Sequence, residues 1–294
     1  AYQSVVDRYK LTSIDLDHEG NSLQDTAADA RRAAEIKDIQ DQARTAGRSL
    51  GVWLTLPVST TGLTAPGASV VAGMLSAGVE LAGVNGMTMD FDASGAAAQP
   101  LSRAVIQAST ALHGQVRAAF AQAGQPLDDG QAWAKVGVIP MIGQNDVTSE
   151  QFTLADAGAV NQFARAHGVG QLSMWSLNRD STCGPPLPAT LPVVQTFCSG
   201  VDQGSERFAI VLAANLTSAP PVPSPSGEVT TPTTTPTTSE TVDDPAHSPF
   251  PLWDPLGTSS AGTKLVWHHQ IFKAGDWPTG RPPATPVATH TDAP

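Results

Sequence analysis

Short strand-like runs alternate with segments of helical character along the first two thirds of the chain. This alternation restricts the fold more than any other feature. The runs are Ile14–Glu19, Leu50–Pro57, Val84–Phe91, Lys135–Ile142 and Gln171–Ser176. Each is too short for a buried helix, and Leu50–Pro57 is closed by a proline, so each is expected to be a strand. Between them, Asp25–Ala46, Thr64–Ala77, Leu101–Ala123 and Thr153–Ala166 read as helices, followed by Gly47, Gly78, Gly124 and Gly168 as stops. Thr64 is the expected cap of the second helix, with Pro66 in its first turn, and Thr153 with Asp156 resembles a capping box. Arg207–Leu216 is read as a further helix because it closes the series. Strands that alternate with helices predict an α/β fold with a parallel sheet, whose reactive groups lie late in each strand. An open doubly wound sheet uses the same elements, but no Gly-x-Gly-x-x-Gly turn follows any strand.

The first strand carries an unusual column. Asp15, Asp17 and Glu19 stand at alternate positions, so a strand turns all three to one face and Leu16 and His18 to the other. Like charges this close hold a proton in the group near neutral pH, which is what a general acid requires. A solvated acidic edge strand is the plainer alternative. A calcium loop is the third: Asp15, Asp17 and Glu19 fit positions 1, 3 and 5 and Gly20 fits position 6, but Ser22 and Thr26 stand at positions 8 and 12. Thr26 cannot supply the bidentate carboxylate that such a loop needs.

This stretch resembles family 18 of the glycoside hydrolases, the chitinase family, whose signature is Asp-x-x-Asp-x-Asp-x-Glu on the fourth strand of a TIM barrel. The last three acids are Asp15, Asp17 and Glu19; Thr12 stands in place of the first, and Ser13 where a glycine often follows. The resemblance implies a (β/α)8 barrel of which this chain, an amino-terminally truncated fragment, holds strands four to eight. It also implies catalysis through Glu19 as acid and then base, with Asp17 orienting the substrate's acetamido group and Asp15 sharing a buried proton with Asp17. Asn85-Gly86-Met87-Thr88-Met89-Asp90-Phe91 is similar to the family's Met-x-Tyr-Asp, placing Met87 and Asp90 at the sugar, with Met89 in place of the tyrosine. Ser173-Met174-Trp175-Ser176 resembles the end of the eighth strand, which makes Trp175 the floor under the reacting sugar. Pro140–Asp146 ends the seventh strand, and its polar tip, with Asn145, is expected to line the cleft.

Composition bounds the partners. A formal net charge of −11 argues against nucleic acid and anionic membranes, and a neutral polysaccharide raises no such objection. No apolar run approaches the roughly 18 residues of a membrane span. Ala1–Tyr9 reads as the end of a helix rather than a signal peptide. Cys183 and Cys198 lack Cys-x-x-Cys spacing and are expected to form a disulfide. Closing a loop of about fifteen residues contributes roughly 3 kcal/mol and suggests an oxidising, extracellular setting.

The expected organisation is a partial catalytic barrel over 1–217, a Pro/Thr/Ser-rich linker over 218–249, a small β-rich module over 250–283 and a disordered tail over 284–294. The module resembles the type 5/12 chitin-binding group through Trp253-Asp254-Pro255 and Phe272-Lys273-Ala274, and departs from it at Gly275 and Asp276. Trp253, Trp267, Phe272 and Trp277 are its candidate platform for sugar rings. His268 and His269 lack a third ligand at usable spacing, so no metal is expected, and no cofactor. The function implied is secreted, endo-acting hydrolysis of chitin or a related N-acetylglucosamine polymer by a monomer. The alternative is a non-catalytic chitin-binding protein on the same scaffold.

Overall fold

The computed structural model describes residues 2–91, 100–216, 250, 263–267, 270–273 and 288–289. The chain divides into two units, Ala1–Val193 with Phe197–Ala214, and Val194–Thr196 with Asn215–Pro294. In chain order the first unit contains α1 (Tyr2–Tyr9), β1 (Ser13–Asp17), α2 (Thr26–Thr45), β2 (Gly51–Ser59), β3 (Gly62–Leu63), α3 (Ala65–Ser76) and β4 (Leu81–Thr88). It continues with α4 (Leu101–Gln122), α5 (Asp129–Trp133), β5 (Val136–Pro140), β6 (Gly143–Gln144), β7 (Gln151–Phe152), α6 (Leu154–His167), β8 (Gln171–Leu172) and α7 (Phe208–Ala213). The main sheet runs β1-β2-β4-β5-β8, and every neighbouring pair in that path is parallel.

Helix starts follow local chemistry. Asp25 accepts from the Ala28 amide, and Thr64 accepts from the Gly67 amide with proline in the first turn. Thr153 and Asp156 form a reciprocal capping box. Asp156 goes further, because its Oδ1 also accepts from the amide and hydroxyl of Ser102, at 2.9 and 2.7 Å. One carboxylate thereby binds the first turns of α4 and α6 together.

The strands are two-faced. Val52, Leu54, Leu56 and Val58 of β2, Val84 of β4 and Val136 and Val138 of β5 are buried in one core with Ile36, Val70, Val105, Leu112, Val116 and Val160 of the helices. The alternate residues, among them Trp53, Thr55, Asn85 and Gly137, face away from that core. Two glycines record how crowded this second face is. A Cβ on Gly83 falls 2.1 Å from the Trp53 ring and 2.6 Å from the Lys135 carbonyl oxygen, and one on Gly137 falls 1.5 Å from Asn85 Oδ1.

Element boundaries differ from expectation at several strand ends: β2 runs through Pro57 to Ser59 instead of closing there, and two further differences bear on the site. The third strand stops at Thr88 rather than Phe91, because Asp90 turns to φ 49°. The amides of Asp90 and Phe91 then leave the ladder for the side chains of Asn145 and Glu150. The last strand formally holds only Gln171–Leu172, yet pairing runs on: Ser173 N donates to Val138 O, Trp175 N to Pro140 O and Ile142 N to Trp175 O. The short elements β3, β6, β7 and α5 had no sequence signal strong enough to predict them.

Beyond β8, a loop is closed by the Cys183–Cys198 disulfide, whose sulfurs pack with Leu187, Leu191 and Phe197 in a small separate cluster. Asp180 anchors the far end of the loop by accepting from the Phe208 and Ala209 amides and from Gln203. The second unit contains an antiparallel sheet of β9 (Lys264–Trp267), β10 (Gln270–Lys273) and β11 (Ala288–Thr289), in the order β11-β10-β9. Leu265 and Val266 are buried within it, and the Lys264 ammonium lies 5.1 Å from the centre of the Phe250 ring.

Gly83→Ala is expected to destabilise the protein by about 3 kcal/mol, since neither the indole nor the Lys135 backbone can yield enough room. Urea unfolding of the two proteins side by side checks this; equal midpoints would show that the second face is looser than described.

Candidate active site

Parallel pairing brings the ends of β1, β2, β4, β5 and β8 to one rim, and the residues that carry chemistry lie there. Main-chain pairing with β2 continues past the formal end of β1, where His18 N donates to Thr55 O at 3.0 Å. Glu19 keeps extended backbone, φ −146° and ψ 173°. Asp15, Asp17 and Glu19 therefore share a face, and Leu16 and His18 are buried on the other. His18 is held there by Ser22 O at 2.9 Å and by Asp29 at 3.3 Å, with Arg32 completing the cluster. The strand is thus clamped against α2 from behind, which aims the acids outward.

All three acids are exposed. A buried proton shared by Asp15 and Asp17 was expected. Instead β1 is the edge of the sheet among the described residues, and nothing described covers its acidic face. Asp15 is nevertheless fixed: its Oδ1 accepts from the Thr55 hydroxyl at 2.7 Å and its Oδ2 from the Asn85 amide at 2.6 Å. Asn85 Nδ2 also approaches Thr55 Oγ1 at 3.4 Å. These partners sit at paired positions of β2 and β4, where Thr55 is opposite Asn85, so the sheet register itself assembles the cluster. Both Asp15 oxygens face neutral donors, which suits a carboxylate that stays in place beside two freer acids.

A second cluster closes the rim between β4 and β8. Asp90 is half-buried, and its Oδ1 accepts from the Val147 amide at 3.0 Å. Burial raises its carboxyl above the ordinary aspartate range, against the opposing pull of the Val147 amide. Asn145, expected at the polar tip of the cleft, is buried. Its Nδ2 donates to the Met141 and Gly143 carbonyls, and its Oδ1 faces the Asp90 amide. Asn145 is thus a brace for Asp90. Met87 is half-buried on β4. Trp175 is 56% exposed at the end of the last strand, its main chain bonded on both sides to the β5 end, and the Trp175–Ser176 peptide is cis.

Three contributors were not foreseen: Thr55, Glu150 and Arg179. Thr55 sits at an inward strand position opposite Asn85, a pattern visible only once the register is known. Glu150 and Arg179 are single charged residues in loops, where no periodicity marks them, yet both are buried. Of the four aromatics assigned to the carbohydrate module, Trp253 and Trp277 lie outside the described residues, as do the linker and His268 and His269. Trp267 and Phe272 fall on β9 and β10, their side chains outside the description.

Asn85→Ala is expected to cost about 2 kcal/mol, because it removes a short bond to a charged group at a fully buried position. Urea unfolding would show it, and an unchanged midpoint would mean that water replaces the amide.

No sequence-family profile matches the chain. It is 35% identical over 192 residues to the probable bifunctional chitinase/lysozyme of Escherichia coli strain K12, covering 63% of this chain and 21% of that protein. It is also 35% identical over 196 residues to endochitinase 11 of Metarhizium anisopliae, covering 65% of this chain and 36% of that protein. The matched stretch thus spans about a fifth and about a third of these two relatives. The crystal structure of the catalytic domain of the hyperthermophilic chitinase from Pyrococcus furiosus superposes with a TM-score of 0.59 at 26% identity, over 72% of this chain and 63% of that one. Catalytic-site mutants of active domain 2 of the thermostable chitinase from the same organism, complexed with chito-oligosaccharides, give 0.60 at 26% identity, over 74% and 66%. The five parallel strands make half a barrel wall, and the chain is homologous to the catalytic domains of chitinases.

Proposed function

We propose that this protein is a family 18 glycoside hydrolase that cleaves β-1,4 linkages in chitin or a related N-acetylglucosamine polymer, acting within chains. One observation carries the reading. Asp15, Asp17 and Glu19 share one face at the rim of a half-barrel homologous to chitinase catalytic domains, with Asp90 and Trp175 at other strand ends of the same rim.

Glu19 has no side-chain cap bond in the turn it opens, so its carboxyl is available for proton transfer. In the proposed reaction it protonates the leaving glycosidic oxygen while the substrate's own acetamido oxygen attacks the anomeric carbon. Asp17 orients the acetamido group and balances its developing positive charge. Asp15, tied to Thr55 and Asn85, sets the position and field of Asp17. Glu19, now a carboxylate, takes a proton from the water that opens the cyclic intermediate, and configuration is retained. Met87 and Asp90 contact the sugar, with Asp90 braced by Asn145. The exposed indole of Trp175 offers a flat apolar surface to its C–H face.

The disulfide supports a protein that works outside the cell. The segment over 250–283 would act as a tethered chitin-binding module through Trp253, Trp267, Phe272 and Trp277, raising local substrate concentration. No cofactor enters this chemistry.

The test is turnover of chromogenic chito-oligosaccharides and of peptidoglycan, the latter because one relative is named a chitinase/lysozyme. Glu19→Gln is expected to lower turnover by about 100-fold or more while leaving oligosaccharide binding in place. Equal turnover would falsify the assignment of Glu19, and binding without turnover in both proteins would favour a lectin-like role.

A further inference from the structure

Arg179 is the largest fully buried side chain among the described residues, with a relative exposure of 1%. Its Nη2 donates to the Gln144 carbonyl oxygen at 2.6 Å, while Nε and Nη1 have no hydrogen-bond partner among the described residues. A guanidinium in this condition is costly, since each unmet buried donor forfeits its hydration. A core residue of the same length would fill the space at less cost. The charge therefore calls for an explanation beyond packing.

The surroundings supply one. Arg179 follows Trp175 by one short turn, and its amide donates to the Ser176 carbonyl at 2.9 Å. The carbonyl it grips, that of Gln144 in β6, opens the loop that follows β5. Within that loop, Gln144 Nε2 reaches the carbonyls of Asn145, Thr148 and Glu150, at 3.1 to 3.2 Å. Asn145, Val147 and Glu150 of the same loop hold the Asp90–Phe91 backbone and the Asp90 carboxylate. The carboxylates of Asp146 and Asp90 oppose the burial that lowers Arg179 to about 10. A positive charge here also works against the rise that burial imposes on Asp90. From either side the path runs Trp175 turn, Arg179, loop 143–150, Asp90.

We propose that Arg179 is a positioning residue that ties the turn carrying Trp175 to the loop presenting Asp90, so that the two sugar-facing groups keep one relative placement. This rests on the functional reading above for the sugar and its affinity; the mechanical link stands on the hydrogen bonds. Arginine suits the post because its guanidinium stays charged when buried and its planar head holds Nη2 aimed at the Gln144 carbonyl.

The experiment compares the protein with Arg179→Met and Arg179→Lys, using amide hydrogen exchange and the affinity for chito-oligosaccharide. In Arg179→Met the amides of Val147 and Asn145 are expected to exchange about tenfold faster at an unchanged melting temperature. Chito-oligosaccharide affinity is expected to fall about tenfold. Arg179→Lys, which keeps a charge and one donor for the Gln144 carbonyl, is expected to restore both to within about threefold. Unchanged exchange in the methionine variant overturns the proposal, as does a lysine variant that is no better than methionine. If the methionine variant does not fold, the lysine variant decides by the same exchange criterion. Failure of both to fold makes Arg179 a structural residue and also overturns it. A wild-type protein that neither binds nor cleaves chito-oligosaccharide would refute the proposed function, while the exchange result would still decide the link.

Discussion

Everything at the rim depends on five strands being paired in one direction at one register. Parallel pairing sends all carboxyl ends to the same edge, and the two-residue period of a strand then sorts side chains between two faces. Helices cover one face with an apolar layer in which Val52, Leu54, Val84, Val105, Leu112, Val116, Val136 and Val138 are fully buried. The other face is left for polar groups. A slip of one residue in β1 would exchange Asp15 and Asp17 for Leu16, burying carboxylates against α2. That penalty keeps the acids where they are.

The polar face is organised by neutral donors rather than by counter-charges. Thr55 and Asn85 take up both oxygens of Asp15, leaving Asp17 and Glu19 without such direct anchors among the hydrogen bonds described. Such an arrangement graduates three similar groups: one fixed, two free to meet a substrate. Near β4 and β8 the rule differs. There a buried cation, Arg179, sits among the loops, and burial acts on Asp90 and Arg179 in opposite senses. The two halves of the rim are thus held differently, by side-chain hydrogen bonds across strands on one side and by hydrogen bonds to loop backbone around a buried charge on the other.

Much of this was legible in the residues. Thr64 with Pro66, and Thr153 with Asp156, marked helix starts because capping depends on neighbours within one turn. The alternating acids declared a strand face, and Cys183 and Cys198 their pairing, within short stretches of chain. Where the reading missed, the cause was distant. β4 ends at Thr88 because side chains from the loop after β5 take the next amides, and those partners stand more than fifty residues away. Asn145 reads as a polar loop tip, yet its amide is spent on Met141 and Gly143. Polarity alone does not tell a group that faces substrate from one that satisfies buried backbone.

The order of strands and helices, the side to which each strand residue points, the helix caps and the acidic column followed from spacing, since each depends on contacts within a few residues. Which acid is anchored, how Asp90 is braced and why an arginine is buried at position 179 were decided by tertiary structure alone. Those features require strands and loops far apart in the chain to meet at a set register. No local pattern records a bond whose two ends are joined only by folding.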